Sequence, residues 1–443
     1  MARSARSSAE GQTPLARHGA LRTRHPFVTM LSMLAVVLGV VGLSATGVAA
    51  YSVWDAAQAI GANAVVLDED KPLPPSLGAI EGGVNLLLVG SDSCEGQDVS
   101  LFPRCANDDS PGERNDVTML VHISDEPRRV TVVSFPRDML VPIPSCPKED
   151  GSGGHSAMSS QMINASYMYG GLACTVLTVE ELTGEQIHFA GAIRWTGVIN
   201  MSDAIGGVDV CVAGDISDKH TGLHLTAGNH TLVGVEALQF LRIRHGIGDG
   251  SDLGRISNQQ QFMSSMVRKL QSESVLADPA RLFTLATTAI SQVQQGQLVL
   301  SSGLTNPTLM VQIAMAVKDV PYEDIVFVQY PTRYASGTGA TRVLPVTDAA
   351  DALFAALREN RPLTLTGKAS QGLGVEVTGE AVQPQPTPSA PADGEVPGEG
   401  SEGETPAAED GATQAPTAQE RVELPSQIAG QTAKQTTCTV PEK

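Results

Sequence analysis

The chain of 443 residues has no basic surplus; its formal net charge is −19. That excludes the positive footprint needed for duplex nucleic acid, whose phosphates the mean field would repel. Any phosphate ligand must instead meet a local cluster of arginines. Residues 369–443 hold twelve acidic against three basic side chains and supply −9 of the total, so the remainder is only mildly acidic. Metal-binding cysteine motifs are also missing. The six cysteines, at 94, 105, 146, 174, 211 and 438, include no CxxC spacing, which argues against structural zinc. The chain has no internal repeats and no GxSxG, HExxH or kinase pattern, and no GK[ST] follows its glycine-rich stretch, so a nucleotide P-loop is rejected.

What is present begins with an asymmetric N-terminus. Residues 1–26 carry five arginines (Arg3, Arg6, Arg17, Arg22, Arg24) and one acid, and residues 27–50 follow without a charge. At 1.5 Å per residue this run spans roughly 36 Å as a helix, enough to cross a hydrocarbon core of about 30 Å with some tilt. A transmembrane helix with a cytoplasmic N-terminus and an extracytoplasmic remainder is expected from the basic flank. The rival is a cleaved signal peptide, because Val48-Ala49-Ala50 has the small residues a signal peptidase prefers. Residues 51–75 read as a linker or helix extension, 76–366 as the folded domain, and 367–443 as a disordered acidic tail rich in Pro, Gly and Glu. Outside the cytosol an even cysteine count favours disulfides. Cys94 and Cys105 share one short polar excursion and are the expected pair, while the other cysteines remain unassigned among the fifteen full pairings six allow.

Within the folded part, apolar strand-like runs alternate with helical ones, as in an α/β or α+β sheet covered by helices. The run VNLLLV (84–89), closed by Gly90, reads as a strand buried on both faces. Residues 117–123 and 130–135 flank Ser124-Asp125-Glu126-Pro127 and read as an antiparallel hairpin. Such pairing returns Pro136-Arg137-Asp138 beside Arg114-Asn115-Asp116. Helical patterns run over 172–182 and 255–270, Thr347 and Asp348 can cap a helix to Leu357, and IVFVQY (325–330) reads as a late strand of the same sheet.

Charge gathers at the ends of these elements, where ligands of open α/β sheets bind. Asp92 follows one buried strand and Asp116 precedes another; two carboxylates converging on one cleft suit a hard divalent cation that keeps phosphate oxygens as further ligands. Arg242 and Arg244 alternate with Leu241 and Ile243, so in an extended segment both guanidinium groups share one face. Paired forks of that kind match phosphate oxygens. Arg255, behind Asp252, opens a helix whose N–H groups also favour anions.

The segments NLLLVGSDS, RNDVTML, SFPRD, MINASYMYGG, SDAIGGVDV and GVEALQFLRIRH occur in this order. They resemble motifs of the LytR-CpsA-Psr family of wall-polymer ligases, and the cysteine positions look like those of its actinobacterial members. The resemblance implies an α/β/α layered fold, a central mixed β-sheet covered by helices on both sides. It implies a phosphotransferase that moves a phosphate-linked glycopolymer from a polyprenyl-pyrophosphate carrier to a hydroxyl of peptidoglycan or a surface glycoprotein. Under it, Asp92 and Asp116 would hold Mg2+, Arg114, Arg137, Arg242, Arg244 and Arg255 would grip the pyrophosphate, and Gln259 would contact the head group. Asn258 stands where the family usually has an arginine. The alternatives are a polyprenyl-pyrophosphate phosphatase using the same site and a non-catalytic polyprenyl-phosphate binding protein.

Overall fold

A computed structural model describes residues 64–67, 83–107, 112–148, 152–272, 279–336, 341–383 and 420–442, together with five positions between 27 and 36. The expected span at 27–50 therefore lies almost wholly outside the described residues. No helix among the described residues is long and apolar enough to cross a membrane.

The centre is a seven-stranded mixed sheet. Its strands, in chain order, are β1 (Val84–Ser91), β2 (Asn115–Ile123), β3 (Val130–Ser134), β4 (Phe189–Ile193), β7 (Leu298–Leu300), β8 (Ile325–Gln329) and β10 (Gly430–Thr432). Two strands at intermediate chain positions, β5 (Val208–Val212) and β6 (Gly228–Leu232), join β9 (Val375–Glu380) and β11 (Gln435–Thr439) in a second, four-stranded sheet. The spatial order of the main sheet is β7-β4-β1-β2-β3-β8-β10. β1 pairs parallel with β4 and antiparallel with β2, and β3 pairs antiparallel with β2 and parallel with β8. The expected hairpin and late strand thus belong to one sheet.

The helices are α1 (Ser166–Thr183), α2 (Trp195–Ile205), α3 (Gly234–Arg242), α4 (Asp252–Ser272), α5 (Pro279–Gln294), α6 (Pro307–Val317) and α7 (Thr347–Arg358). Alternation along β1 sends Leu87 and Val89 to one face, where they pack with Val176 and Val179 of α1 and Leu353 and Phe354 of α7. On the other face Met119, Val132 and Phe327 meet Met263 and Val267 of α4 and Ala316 of α6. Sheet and helices therefore form three layers. Phe262 of α4 turns instead toward Val208, Val210 and Val212 of β5, so α4 is sandwiched between the two sheets. That explains an apolar stripe wider than one contact face requires. At α7 the expected caps are displaced, since Val346 is the N-cap and Thr347 is already helical.

The expected disordered tail is corrected by its two ends. Residues 375–380 form β9, and residues 430–439 form β10, which pairs antiparallel with β8, and β11, which lies between β5 and β9. The composition of 367–443 concealed this because Thr and Gln, polar by composition, here fill buried strand positions: Gln431 and Thr439 are fully buried. The folded domain therefore extends past residue 366, while residues 384–419 of the expected tail lie outside the described residues. Disulfides join Cys94 to Cys105, Cys146 to Cys174 and Cys211 to Cys438.

Candidate active site

β1 leaves the sheet at Ser91, and the next residue fixes the start of β2. The Asp92 backbone N–H donates to the Arg114 carbonyl at 3.0 Å, and Asp92 Oδ1 accepts the Arg114 N–H at 2.9 Å. Register then slips: Gly90 faces Val117 but Ser91 faces Asn115, so Asp116 is an extra, bulged residue. A bulge at a strand end re-aims the side chain it carries. Gly90 permits the close approach, because a Cβ there would sit 3.1 Å from that of Val117.

The hairpin does bring Arg137 to Asp116, with Nη1 to Oδ1 at 2.6 Å. Arg137 Nε lies 3.7 Å from Asp252 Oδ1 and 3.8 Å from Asp138 Oδ2. Arg255 closes the group from the first turn of α4. Its Nη2 is 2.5 Å from Asp252 Oδ1 and donates to the Asp116 carbonyl at 3.0 Å. The chain's own Asp252 thus occupies the N-terminal turn of α4 that was expected to favour a bound anion. Burial pushes the Asp116 carboxyl up, but Arg255, Arg137 and Arg242 outweigh it and hold it below the usual carboxylate range. Burial alone would lower the Arg137 guanidinium; Asp116, Asp252 and Asp138 reverse the sign and raise it.

Arg242 and Arg244 are not two forks on one extended face. α3 runs through Arg242, and buried Ile243 turns the chain with φ −57 and ψ 137. The guanidinium of Arg242 stacks 4.1 Å from the ring centroid of Trp195, a cation–π contact. Trp195 in turn packs against Phe102 at 4.7 Å, so the excursion closed by Cys94–Cys105 supports the arginine from below. Sequence reasoning passed over Trp195, although it is one of only two tryptophans in the chain.

Arg244 points elsewhere, into a cavity it shares with Asp138, Asp249 and Asp252. Its backbone N–H reaches Asp218 Oδ2 at 3.4 Å, and among the described residues its guanidinium has no carboxylate partner. The same holds for the Arg114 guanidinium, whose described hydrogen bonds are made by its main chain.

Gln259 does not face the crevice as a head-group contact would. It is buried, and its amide donates to the Leu241 carbonyl at 2.9 Å, bracing the end of α3. Asn258 braces the same helix end by donating to the Phe240 carbonyl at 2.7 Å, and its Oδ1 accepts from Thr439 of β11 at 2.6 Å. Both amides therefore brace the helix end that carries Arg242.

For a divalent cation the donors of interest are Asp92 and Asp116, at the adjoining ends of β1 and β2. Their Oδ1 atoms are engaged by the Arg114 N–H and by Arg137. No three metal-ligating side chains cluster among the described residues, so a cation there would need phosphate oxygens to complete its shell. Two carboxylates beside phosphate-competent arginines fit that requirement.

Residues 53–359 match the LytR_cpsA_psr family, and the chain belongs to it. It is similar to the probable cell wall biosynthesis protein LcpB of Corynebacterium glutamicum, 33% identical over 228 residues that make up 51% of each chain. It is also similar to cell wall biosynthesis protein LcpA of the same organism, 27% identical over 280 residues, or 59% of this chain and 52% of the relative. A third relative is the polyisoprenyl-teichoic acid–peptidoglycan teichoic acid transferase TagU of Bacillus mycoides, 30% identical over 201 residues, or 45% of this chain and 57% of that one. The chain spans about half the length of the curated relatives it matches. Among solved structures, a LytR-Csp2A-Psr enzyme from Actinomyces oris covers 65% of this chain and 96% of its own, at 22% identity and a TM-score of 0.47.

Proposed function

We propose that the crevice binds the pyrophosphate of a polyprenyl-linked glycopolymer and transfers the phosphate-linked glycan to a hydroxyl of the cell wall, either peptidoglycan or a surface glycoprotein. The observation that carries this reading is Arg244, a guanidinium without a carboxylate partner among the described residues, in a cavity whose Asp252 belongs to the Arg137 and Arg255 ion pairs, with Arg114 at the strand end that carries Asp116. A dianionic ligand completes such a charge pattern. Family membership and the transferase named among the relatives support the same reaction class.

In this reaction the acceptor oxygen attacks the polymer-proximal phosphorus, the bond from that phosphorus to the bridging oxygen breaks, and carrier monophosphate leaves. The hydroxyl proton passes to water or to the departing phosphate. Arg114, Arg137, Arg242, Arg244 and Arg255 position the phosphates and stabilise charge that moves from one to the other, the main source of rate in phosphoryl transfer. Asp116 is a poor general base, because surrounding arginines depress its proton affinity. Its role is to orient Arg137 and, with Asp92, to hold Mg2+, which when bound would neutralise phosphate oxygens.

The reading places the protein at the cell membrane, anchored by residues 27–50, with the folded domain outside. The pairing of all six cysteines supports an oxidising compartment. Incubating full-length protein with a labelled lipid-linked donor and wall acceptor tests the function. Label on the wall with release of carrier monophosphate is expected. Free glycan phosphate alone would make the protein a phosphatase, and bound but unconverted donor would make it a binding protein.

A further inference from the structure

Beside the arginine crevice lies a cavity of about 210 Å³, lined among others by Asp138, Arg244, Asp249, Asp252, Tyr334 and Thr341. Two of its walls belong to the site already described: Asp252 pairs with Arg255, and Arg244 has no carboxylate partner among the described residues. The opposite wall is a two-stranded ribbon, Thr332–Tyr334 against Val343–Pro345. That ribbon is tied to Asp138 and Met139, just after Arg137. Val343 N–H donates to the Asp138 carbonyl at 3.4 Å, Val343 also bridges to Met139, and Arg342 Nη1 donates to Asp138 Oδ1 at 3.2 Å. Tyr334 lines the cavity and is 51% exposed, with no partner ring among the described residues.

We infer that this cavity receives the acceptor: one neutral sugar ring of a wall glycan, seated against Tyr334 with its free hydroxyl directed toward the phosphates held by Arg114 and Arg244. The inference rests on the transfer reading above. The cavity is smaller than the roughly 300–1,000 Å³ of a drug-sized site, which suits a single ring. Two of the three carboxylates on its walls are ion-paired, Asp138 with Arg342 and Asp252 with Arg255, and carboxylate oxygens are acceptors that match the donor hydroxyls of a sugar. No three of the chain's metal-ligating groups cluster here or elsewhere among the described residues, so the carboxylates do not form a cation site by themselves. An aromatic face supplies what the carboxylates lack, a flat apolar surface for the C–H face of the ring. Because Asp252 lines the cavity and also pairs with Arg137 and Arg255 of the crevice, a ring in the cavity lies next to the phosphate site, where an attacking hydroxyl must be.

The test is steady-state transfer by the full-length chain in lipid nanodiscs, with donor and a soluble uncrosslinked peptidoglycan strand varied independently. In Tyr334→Ala the acceptor KM should rise about tenfold, as expected for losing one stacking contact, with donor KM unchanged. Tyr334→Trp should keep an acceptor KM near that of the parent, and thermal melts of both should match it. An unchanged acceptor KM in Tyr334→Ala, or a rise in donor KM instead, overturns the acceptor subsite while leaving the transfer reading intact. Absence of transfer by the unmodified chain overturns both, and is seen before any variant is made.

Discussion

The structure divides the five candidate arginines by partner. Arg137 and Arg255 neutralise buried or half-buried aspartates of the chain itself, and Arg242 rests on Trp195. Arg114 and Arg244 have no such partner among the described residues. Their substitutions should therefore separate. Arg114→Ala and Arg244→Ala should each lower transfer roughly thirty- to a thousand-fold, the cost of about 2–4 kcal/mol in transition-state stabilisation, with an unchanged ligand-free melt. Arg137→Ala should lose activity and also melt several degrees earlier, because it strands Asp116 in a site already penalised by burial, at a cost on the order of 3 kcal/mol. Equal melting losses for all three variants would show that Arg114 and Arg244 are structural. Arg244→Lys should restore only part of the activity, since an ammonium cannot present two parallel donors.

At the scale of elements, the C-terminal strands matter most. β11 is inserted between β5 and β9 and is held by Gln261 of α4, whose amide donates to the Cys211 and Thr437 carbonyls at 2.8 Å each. Thr439 Oγ1 lies 2.6 Å from both Asn258 Oδ1 and Gln261 Oε1. The end of the chain is thereby connected through α4 to the helix end that carries Arg242. The Cys211–Cys438 bond closes this arrangement across a sequence separation of 227. In the chain-entropy picture a closure of that length contributes at most about 5 kcal/mol. The double variant Cys211→Ser, Cys438→Ser should accordingly melt well below the parent, by more than a variant lacking Cys94–Cys105, whose separation is 11. Calorimetry of the two double variants side by side checks the order, and the reverse order would refute it. β1, the hairpin, α4 and β8 were legible because each is a periodic apolar run. β10 and β11 were not, because their buried positions are filled by Thr and Gln, among them Gln431 and Thr439, and Thr439 is matched only by Asn258 and Gln261 of α4, far away in sequence. The odd position of Cys438, far from the other cysteines in an otherwise polar stretch, was the one signal of order there.

For the molecule as a whole, acid sensitivity follows from a buried polar contact beneath the sheet. His122 of β2 shares a 2.8 Å hydrogen bond with Asn85 Oδ1, and the Asn85 N–H donates to His188 Nδ1 at 3.1 Å. Burial, and after it the neighbouring His188, pushes the His122 imidazole down to about 4 from its usual 6.5. Between those values the unfolded chain binds a proton that the folded chain refuses, so stability is full above pH 6.5 and falls as pH drops toward 4. The loss amounts to about 3 kcal/mol, at 1.36 kcal/mol per pH unit. His122→Gln, which can keep the contact with Asn85 but cannot titrate, should flatten the melting temperature between pH 7 and 4.5. A parallel decline in both proteins would place the acid sensitivity elsewhere. Below pH 4 the ion pairs of Asp116 should begin to fail, since a carboxylate held low by arginines loses its stabilising charge only as pH falls through its depressed value.

The sequence by itself determined what depends on local periodicity and order along the chain. It specified the buried strand before Asp92, the hairpin that returns Arg137 to Asp116, the helix behind Asp252, and a motif order that resembles one family. Each of those follows from contacts between residues near in sequence or from a pairing rule that leaves one solution. Tertiary structure decided the rest. Only packing could show that α3 runs through Arg242 and turns it onto Trp195, away from Arg244, because a two-residue alternation is equally compatible with a strand and with the end of a helix. Only packing could bring Asp252 into the arginine cluster, Tyr334 to the cavity wall and Cys438 to Cys211. Those partners are separated by many tens of residues and are joined by the closure of two sheets on one helix, a constraint that no local pattern encodes.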